Sequence, residues 1–153
     1  MEFDDIIRRR RSVRRFSHQR PDPAVIDRII EQARRAPTAG FSQGVDFLVL
    51  DEPEALEAFW TKVEDPEFPS DEDEIPAPPP VLVLVWSDPQ RYLARYSAPD
   101  KIEFGIDQEE AWPVKFWDIG AGMAAMQLQL AAVNQGIDTW FFGVSYGEDA
   151  VRE

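Results

Sequence analysis

The stretch PVKFWDIGAGMAAMQLQLAAVNQG, residues 113–136, decides the fold. Pro113 suits a first helical position and Gly136 the residue just past a last turn, so the spacing predicts a helix from Pro113 through Asn134. Its apolar side chains run nearly all round. A helix of this kind must be covered on every side, as the centre of a domain or as half of a subunit interface. It does not read as a membrane span. The mainly apolar part, residues 121–133, is interrupted by two Gln and falls short of the roughly 18 residues a bilayer requires.

Working outward, TWFFGV (139–144) reads as a strand, and EDAVRE (148–153) as the first turn of a further helix. Upstream, VLVLVW (81–86) is a continuous β-branched and leucine run, expected to lie buried on both faces at the centre of its sheet. DFLVL (46–50) is a shorter strand. Helices are expected at Phe3–Arg10, Pro23–Arg35 with Asp22 as N-cap, Pro53–Glu64 and Asp88–Tyr96. Residues 97–112 read as irregular. Residues 65–80, DPEFPSDEDEIPAPPP, gather acids and prolines that cannot bury enough apolar surface, and are expected to form a mobile surface excursion. No repeats occur, and the alternation of elements gives an α+β or α/β domain.

A chain of 153 residues has the size of one domain, taken as 1–153, and 44% hydrophobic residues suffice for a core. The absence of cysteine excludes disulfides, thiolate metal sites and a cysteine nucleophile, so redox chemistry here needs a cofactor. At the N-terminus, acids precede a short apolar patch and arginines follow it, the wrong order for a secretory signal. A cytoplasmic protein that does not engage a membrane is expected.

One segment opposes the net charge of −13: RRRRSVRRF, residues 8–16. In a continuous helix Ser12 points away from Arg10 and Arg14. If the chain is extended from residue 10, Arg10, Ser12 and Arg14 share one side, and two guanidinium forks and a hydroxyl converge as a phosphate requires. A solvated basic face or a nucleic-acid patch is the competing reading of such a run. The surplus of acids argues against a polyanion, so no nucleic-acid partner is expected. His18, the only histidine, lies in a polar loop and receives no role. DIGAGM has no preceding strand and lacks the third glycine of a dinucleotide fingerprint.

R-R-S-V-R-x-F near the N-terminus, a helix ending in A-P-T-A-G-F-S-Q before a strand, and DIGAGMAAMQLQLAAVNQGI followed by TWFFGV together resemble the FMN-dependent nitroreductase family, in that family's order. The resemblance implies an α+β, three-layer nitroreductase-like fold, with a mixed sheet flanked by helices and the long central helix at a homodimer interface. It implies that Arg10, Ser12 and Arg14, helped by Arg11, bind the FMN phosphate. Pro37, Thr38, Ala39 and Gly40 then run beside the flavin from the partner subunit, and Gln43 matches the family's Gln. Phe142 and Gly143 fall where family members direct backbone N–H groups at flavin N5 and O4. No catalytic side chain and no metal is expected. NAD(P)H is the implied reductant, and the acceptor an electron-poor small molecule such as a nitroaromatic or quinone. Phe41, Trp112 and Phe116 are candidate walls of its slot, with core packing the plainer reading of the aromatics at 111–117.

The chain departs from the family where Phe41 replaces a common Asn and Gly44-Val45 replaces Pro-Trp, which leaves open the side-chain polar contacts to the isoalloxazine. Family chains usually continue with a further strand, a basic residue for the phosphate and a tail that embraces the partner. This sequence stops at Glu153, as a fragment or a short member. Two other functions fit the same residues: a flavin-binding relative with flavin-consuming or deazaflavin-linked chemistry, or a non-catalytic member without FMN whose basic segment serves an acidic partner.

Overall fold

The computed structural model describes residues 1–63, 78–144 and 146–152. In chain order its elements are helices α1 (Phe3–Arg9) and α2 (Pro23–Ala33), strand β1 (Val45–Leu50), helix α3 (Pro53–Val63), strand β2 (Leu82–Ser87), and helices α4 (Pro89–Tyr96), α5 (Phe116–Asn134) and α6 (Glu148–Arg152). Short 3-10 turns occupy Ala39–Phe41, Ile102–Phe104 and Glu109–Ala111. Most of the excursion expected at 65–80 lies outside the described residues.

Helix α5 packs against α1, α2 and both strands, so it is the centre of the domain. It begins at Phe116, not at Pro113. Trp112 takes an extended conformation that drives its indole into the core, and Lys115, at φ −74° and ψ 88°, is still non-helical. At the other end Gly136 has φ 78°, which only glycine adopts without strain. Its N–H donates to the Val133 carbonyl at 3.0 Å and that of Ile137 to Ala132 at 2.9 Å, closing the last turn in a Schellman motif. Ile137 then packs back on a core of Ile29, Ala131 and Ala132 with Val25, Ile26 and Leu128. A second core joins Tyr92, Trp112 and Trp117 to Leu93, Tyr96 and Ile106.

Coverage of α5 within the chain is one-sided. Trp117, Gly120, Ala124, Ala125 and Ala131–Val133 are buried, whereas Phe116, Ile119, Met123 and Met126 are exposed at alternating spacings of three and four. Such spacing draws an apolar seam along the uncovered face.

β1 and β2 pair antiparallel with Val45 opposite Ser87 and Leu50 opposite Leu82. The fold is α+β, and the sheet among the described residues is this pair alone. Two expectations are corrected here. β2 is not central, and only Leu82 in it is buried, because no described strand pairs with its second edge. Residues 139–144 do not form a strand. A strand needs a hydrogen-bonded neighbour along its length, and this segment has one at a single point, the parallel bridge Ser12–Thr139 with Val13 N–H donating to the Thr139 carbonyl at 3.0 Å.

Asp22 Oδ1 accepts from Ala24 N–H at 2.8 Å, and Asp88 Oδ1 from Gln90 N–H at 3.0 Å, each followed by proline at the first helical position. Asp22→Ala is therefore expected to cost about 1 kcal/mol, a fall of about 2–4 °C in the thermal midpoint. An unchanged midpoint contradicts the cap.

Candidate functional site

Helix α1 stops at Arg9 because Arg10, at φ −54° and ψ 121°, turns the chain out of the helical region. From there it is extended, with Ser12 fixed to Thr139. Arg10, Ser12 and Arg14 thus occupy alternate positions of an extended segment, the arrangement that puts them on one side. Arg8 pairs with Asp5 at 2.8 Å, but Arg9, Arg10, Arg11, Arg14 and Arg15 have no carboxylate partner among the described residues. Five arginines within residues 9–15 gather positive charge in one short segment of an acidic protein. Arg11 turns back to donate to the carbonyls of Arg8 and Arg10, which the helix end leaves free. Arg14 lies over the Trp140 ring at 5.9 Å, a cation–π contact that directs its fork.

The second group is the loop after α2. Gly40, Phe41 and Gln43 all have positive φ, of 60°, 58° and 51°. The loop closes on itself: Gln43 N–H donates to Thr38 Oγ1 at 2.8 Å, Phe41 N–H to the Thr38 carbonyl at 3.0 Å, and Ser42 Oγ to the Ala39 carbonyl at 2.7 Å. Pro37 is exposed, and Phe41, 76% exposed, points into solvent. Beside the loop a polar cavity of about 300 Å³ is lined by Arg34, Thr38, Ser42, Gln43, Asp46 and Arg91.

Phe142 stacks on Trp60 with centroids 5.7 Å apart and approaches Trp140 at 4.8 Å, so its side chain is committed to an aromatic cluster. Its backbone N–H and that of the exposed Gly143 have no acceptor among the described residues. Phe142 also lines a larger cavity of about 570 Å³ between α2, β2 and α5. Trp112 is corrected from slot wall to core residue. At 7% exposure it meets Tyr96 edge-on at 4.8 Å and packs with Tyr92 and Trp117. Phe116, exposed at the start of α5, keeps one edge on Trp112 at 5.9 Å.

Within one chain the predicted residues form two separate groups. The arginine segment meets residues 139 and 140; the 37–43 loop meets α4 and α5. Neither of these cavities contains members of both groups: the larger takes only Val13 from residues 10–14, and the smaller takes Thr38, Ser42 and Gln43 from the loop. Sequence reasoning missed Trp140 beneath Arg14, and it missed Arg91 and Arg95, whose side chains reach the 37–43 loop. The i, i+4 spacing in RYLARY marks one helix face, but the loop which that face meets is set by tertiary packing. Among the described residues no group of His, Cys, Asp or Glu could hold a metal, and no helix is long and apolar enough to cross a membrane.

Comparison with known proteins matches the nitroreductase family over residues 7–153. The chain belongs to the nitroreductase family. Membership makes oxidoreductase chemistry its functional class, and the fold agrees. A nitroreductase-like protein from Streptococcus mutans superposes with a TM-score of 0.74 at 18% identity, over 98% of this chain and 78% of that one. A protein of Exiguobacterium sibiricum described as a nitroreductase, in complex with FMN, gives 0.67 at 22% identity, over 99% and 78%. CLA-ER, a gut-bacterial enone reductase of fatty acid saturation, gives 0.66 at 22%, over 94% and 75%. No curated protein matches the chain.

Proposed function

We propose that this nitroreductase-family chain is an FMN-dependent oxidoreductase that works as a homodimer in the cytoplasm and passes reducing equivalents from NAD(P)H to an electron-poor acceptor, a nitroaromatic or a quinone. The observation that carries the reading is the extended Arg10–Ser12–Arg14 segment, in which neither guanidinium has a carboxylate partner among the described residues. Its donor set suits a monophosphate: two forks for bidentate contacts and one neutral hydroxyl. The FMN complex of the Exiguobacterium relative supports the same cofactor.

In this reading Arg10, Ser12 and Arg14 hold the phosphate, with Arg11 adding positive potential. The N–H groups of Phe142 and Gly143 donate to the ring edge where negative charge develops. Pro37, Thr38, Ala39, Gly40 and Gln43 flank the ring from across a subunit interface, consistent with their separation from the arginines in one chain. The exposed seam Phe116, Ile119, Met123 and Met126 on α5 supplies an apolar surface for that interface. Phe41 and Phe116 remain as aromatic walls for the acceptor. Bound FMN supplies a carrier that takes a hydride from the nicotinamide and reduces the acceptor in turn.

Under anaerobic conditions, protein reconstituted with FMN is expected to consume NADPH or NADH beyond the one equivalent that reduces its flavin only when a quinone such as menadione, or a nitroaromatic, is present. Tight FMN binding with neither nicotinamide consumed in the presence of any such acceptor sinks the NAD(P)H assignment.

A further inference from the structure

A left-handed backbone costs an ordinary residue about 1–2 kcal/mol, so Phe41 and Gln43 persist at positive φ only because something outside the pair over-determines them. The restraint comes from α4. Arg95 Nε donates to the Gly40 carbonyl at 3.0 Å, and Arg91 Nη1 donates to the Gln43 carbonyl at 3.0 Å. These arginines are four residues apart on one helix face and grip the loop on either side of Phe41.

Each guanidinium is braced from behind. Arg95 makes a bidentate pair with Asp100 at 2.8 and 2.7 Å. Arg91 pairs with both carboxylate oxygens of Asp46 and reaches Asp88 at 3.2 Å. The hydrogen bond and charge of Arg95 draw the Asp100 carboxyl down to about 2, so this brace is intact at neutral pH and is lost only as pH falls toward that value. Tyr96 fills the space beneath the loop: a Cβ on Gly40 would lie 2.8 Å from Tyr96 Cε2. The loop is thus held by two arginines and an aromatic ring of the same helix.

What the clamp achieves locally is the outward presentation of Phe41. An aromatic ring that is mostly exposed on a strained backbone gains nothing inside its own chain, so the gain lies in what it meets. We propose that Arg91 and Arg95 are positioning residues that lock the 38–43 loop so that Phe41 forms a rigid stacking wall for a flat aromatic acceptor. The proposal rests on the reading above that this loop flanks the redox site. It makes acceptor selection depend on α4, through the loop that this helix holds.

Arg95→Gln removes the bidentate brace and the charge while leaving α4 intact. In cofactor-free protein, amide exchange of the peptide covering 38–43 is expected to rise about tenfold with no change in α5, because the Phe41 and Gln43 N–H bonds depend on the loop's shape. In FMN-loaded protein the KM for menadione is expected to rise about five- to tenfold with kcat changing less than twofold, the scale of one lost aromatic contact. Phe41→Ala should give the same KM shift, and Arg95→Gln on top of Phe41→Ala should add nothing, as one residue acting through another requires. Arg95→Lys should recover part of the shift. Additive shifts in the double variant, or unchanged exchange in the loop, overturn the positioning role while leaving the oxidoreductase reading in place. Wild-type protein that binds no FMN and reduces no acceptor overturns both.

Discussion

Arg14→Ala is expected to weaken FMN binding about 10- to 100-fold, measured by quenching of flavin fluorescence, while turnover per bound flavin stays within about twofold. The magnitude follows from removing one charge-assisted, bidentate contact worth about 1.5–3 kcal/mol. Turnover should be spared because, under the proposed function, Arg14 would hold the phosphate and not the reacting ring. Arg14→Lys should fall between, since an ammonium keeps the charge but cannot offer a planar fork. The cation–π contact with Trp140 is lost as well, so Trp140→Leu should reproduce a small part of the effect by freeing the Arg14 side chain. Equal affinity in Arg14→Ala contradicts the phosphate assignment.

The largest expected loss of stability comes from Gly44→Ala. Gly44 is needed for space: a Cβ there would lie 2.5 Å from Tyr92 Cε2 and 2.9 Å from the Asp88 carbonyl. Neither can yield easily. Tyr92 is wholly buried between Trp112 and Trp117, and the Asp88 backbone is fixed by its N–H donating to the Gly44 carbonyl at 2.8 Å. Overpacking of this kind costs about 3 kcal/mol, a fall of about 6–12 °C in the thermal midpoint. Gly120→Ala meets the same side chain differently, since its Cβ would lie 2.6 Å from the Tyr92 hydroxyl but 3.9 Å from Cζ. Tyr92→Phe should therefore rescue Gly120→Ala and leave Gly44→Ala uncorrected. Burial raises the Tyr92 pKa, so the phenol is neutral throughout the physiological range, and its hydroxyl has no partner among the described residues. Tyr92→Phe alone should accordingly be nearly neutral. Rescue of both glycine variants, or of neither, contradicts this packing.

Features that depend on near neighbours were legible in the sequence. Asp22-Pro23 marks a helix start because cap and ring act within three residues, and Gly136 marks a helix end for the same reason. The helix-to-extended change at Arg10 was one of two local geometries open to the sequence, and the bridge from Ser12 to Thr139 selects it. What depends on distant partners was not legible. VLVLVW and TWFFGV read alike as strands, yet pairing is a property of two segments, and only the first finds a full-length neighbour among the described residues. The all-round apolarity of α5 announced that it must be covered without showing which face its own chain covers. Core packing was the plainer sequence reading of Trp112, and its edge-on packing with Tyr92, Tyr96 and Trp117 decides for it over the slot. Arg91 and Arg95 carried no sequence signal for the 38–43 loop, because which loop their helix face meets is set by tertiary packing.

The proposed function stands or falls on whether the arginine segment holds FMN and the bound flavin accepts electrons. The most direct test is the visible spectrum of the protein after FMN is added and the excess removed, recorded before and after anaerobic addition of NADPH or NADH. The account predicts a retained flavin band that bleaches with a nicotinamide in the wild type and is largely missing in Arg10→Ala/Arg14→Ala. A wild-type protein that retains no flavin, or a double variant that retains it equally well, contradicts the account.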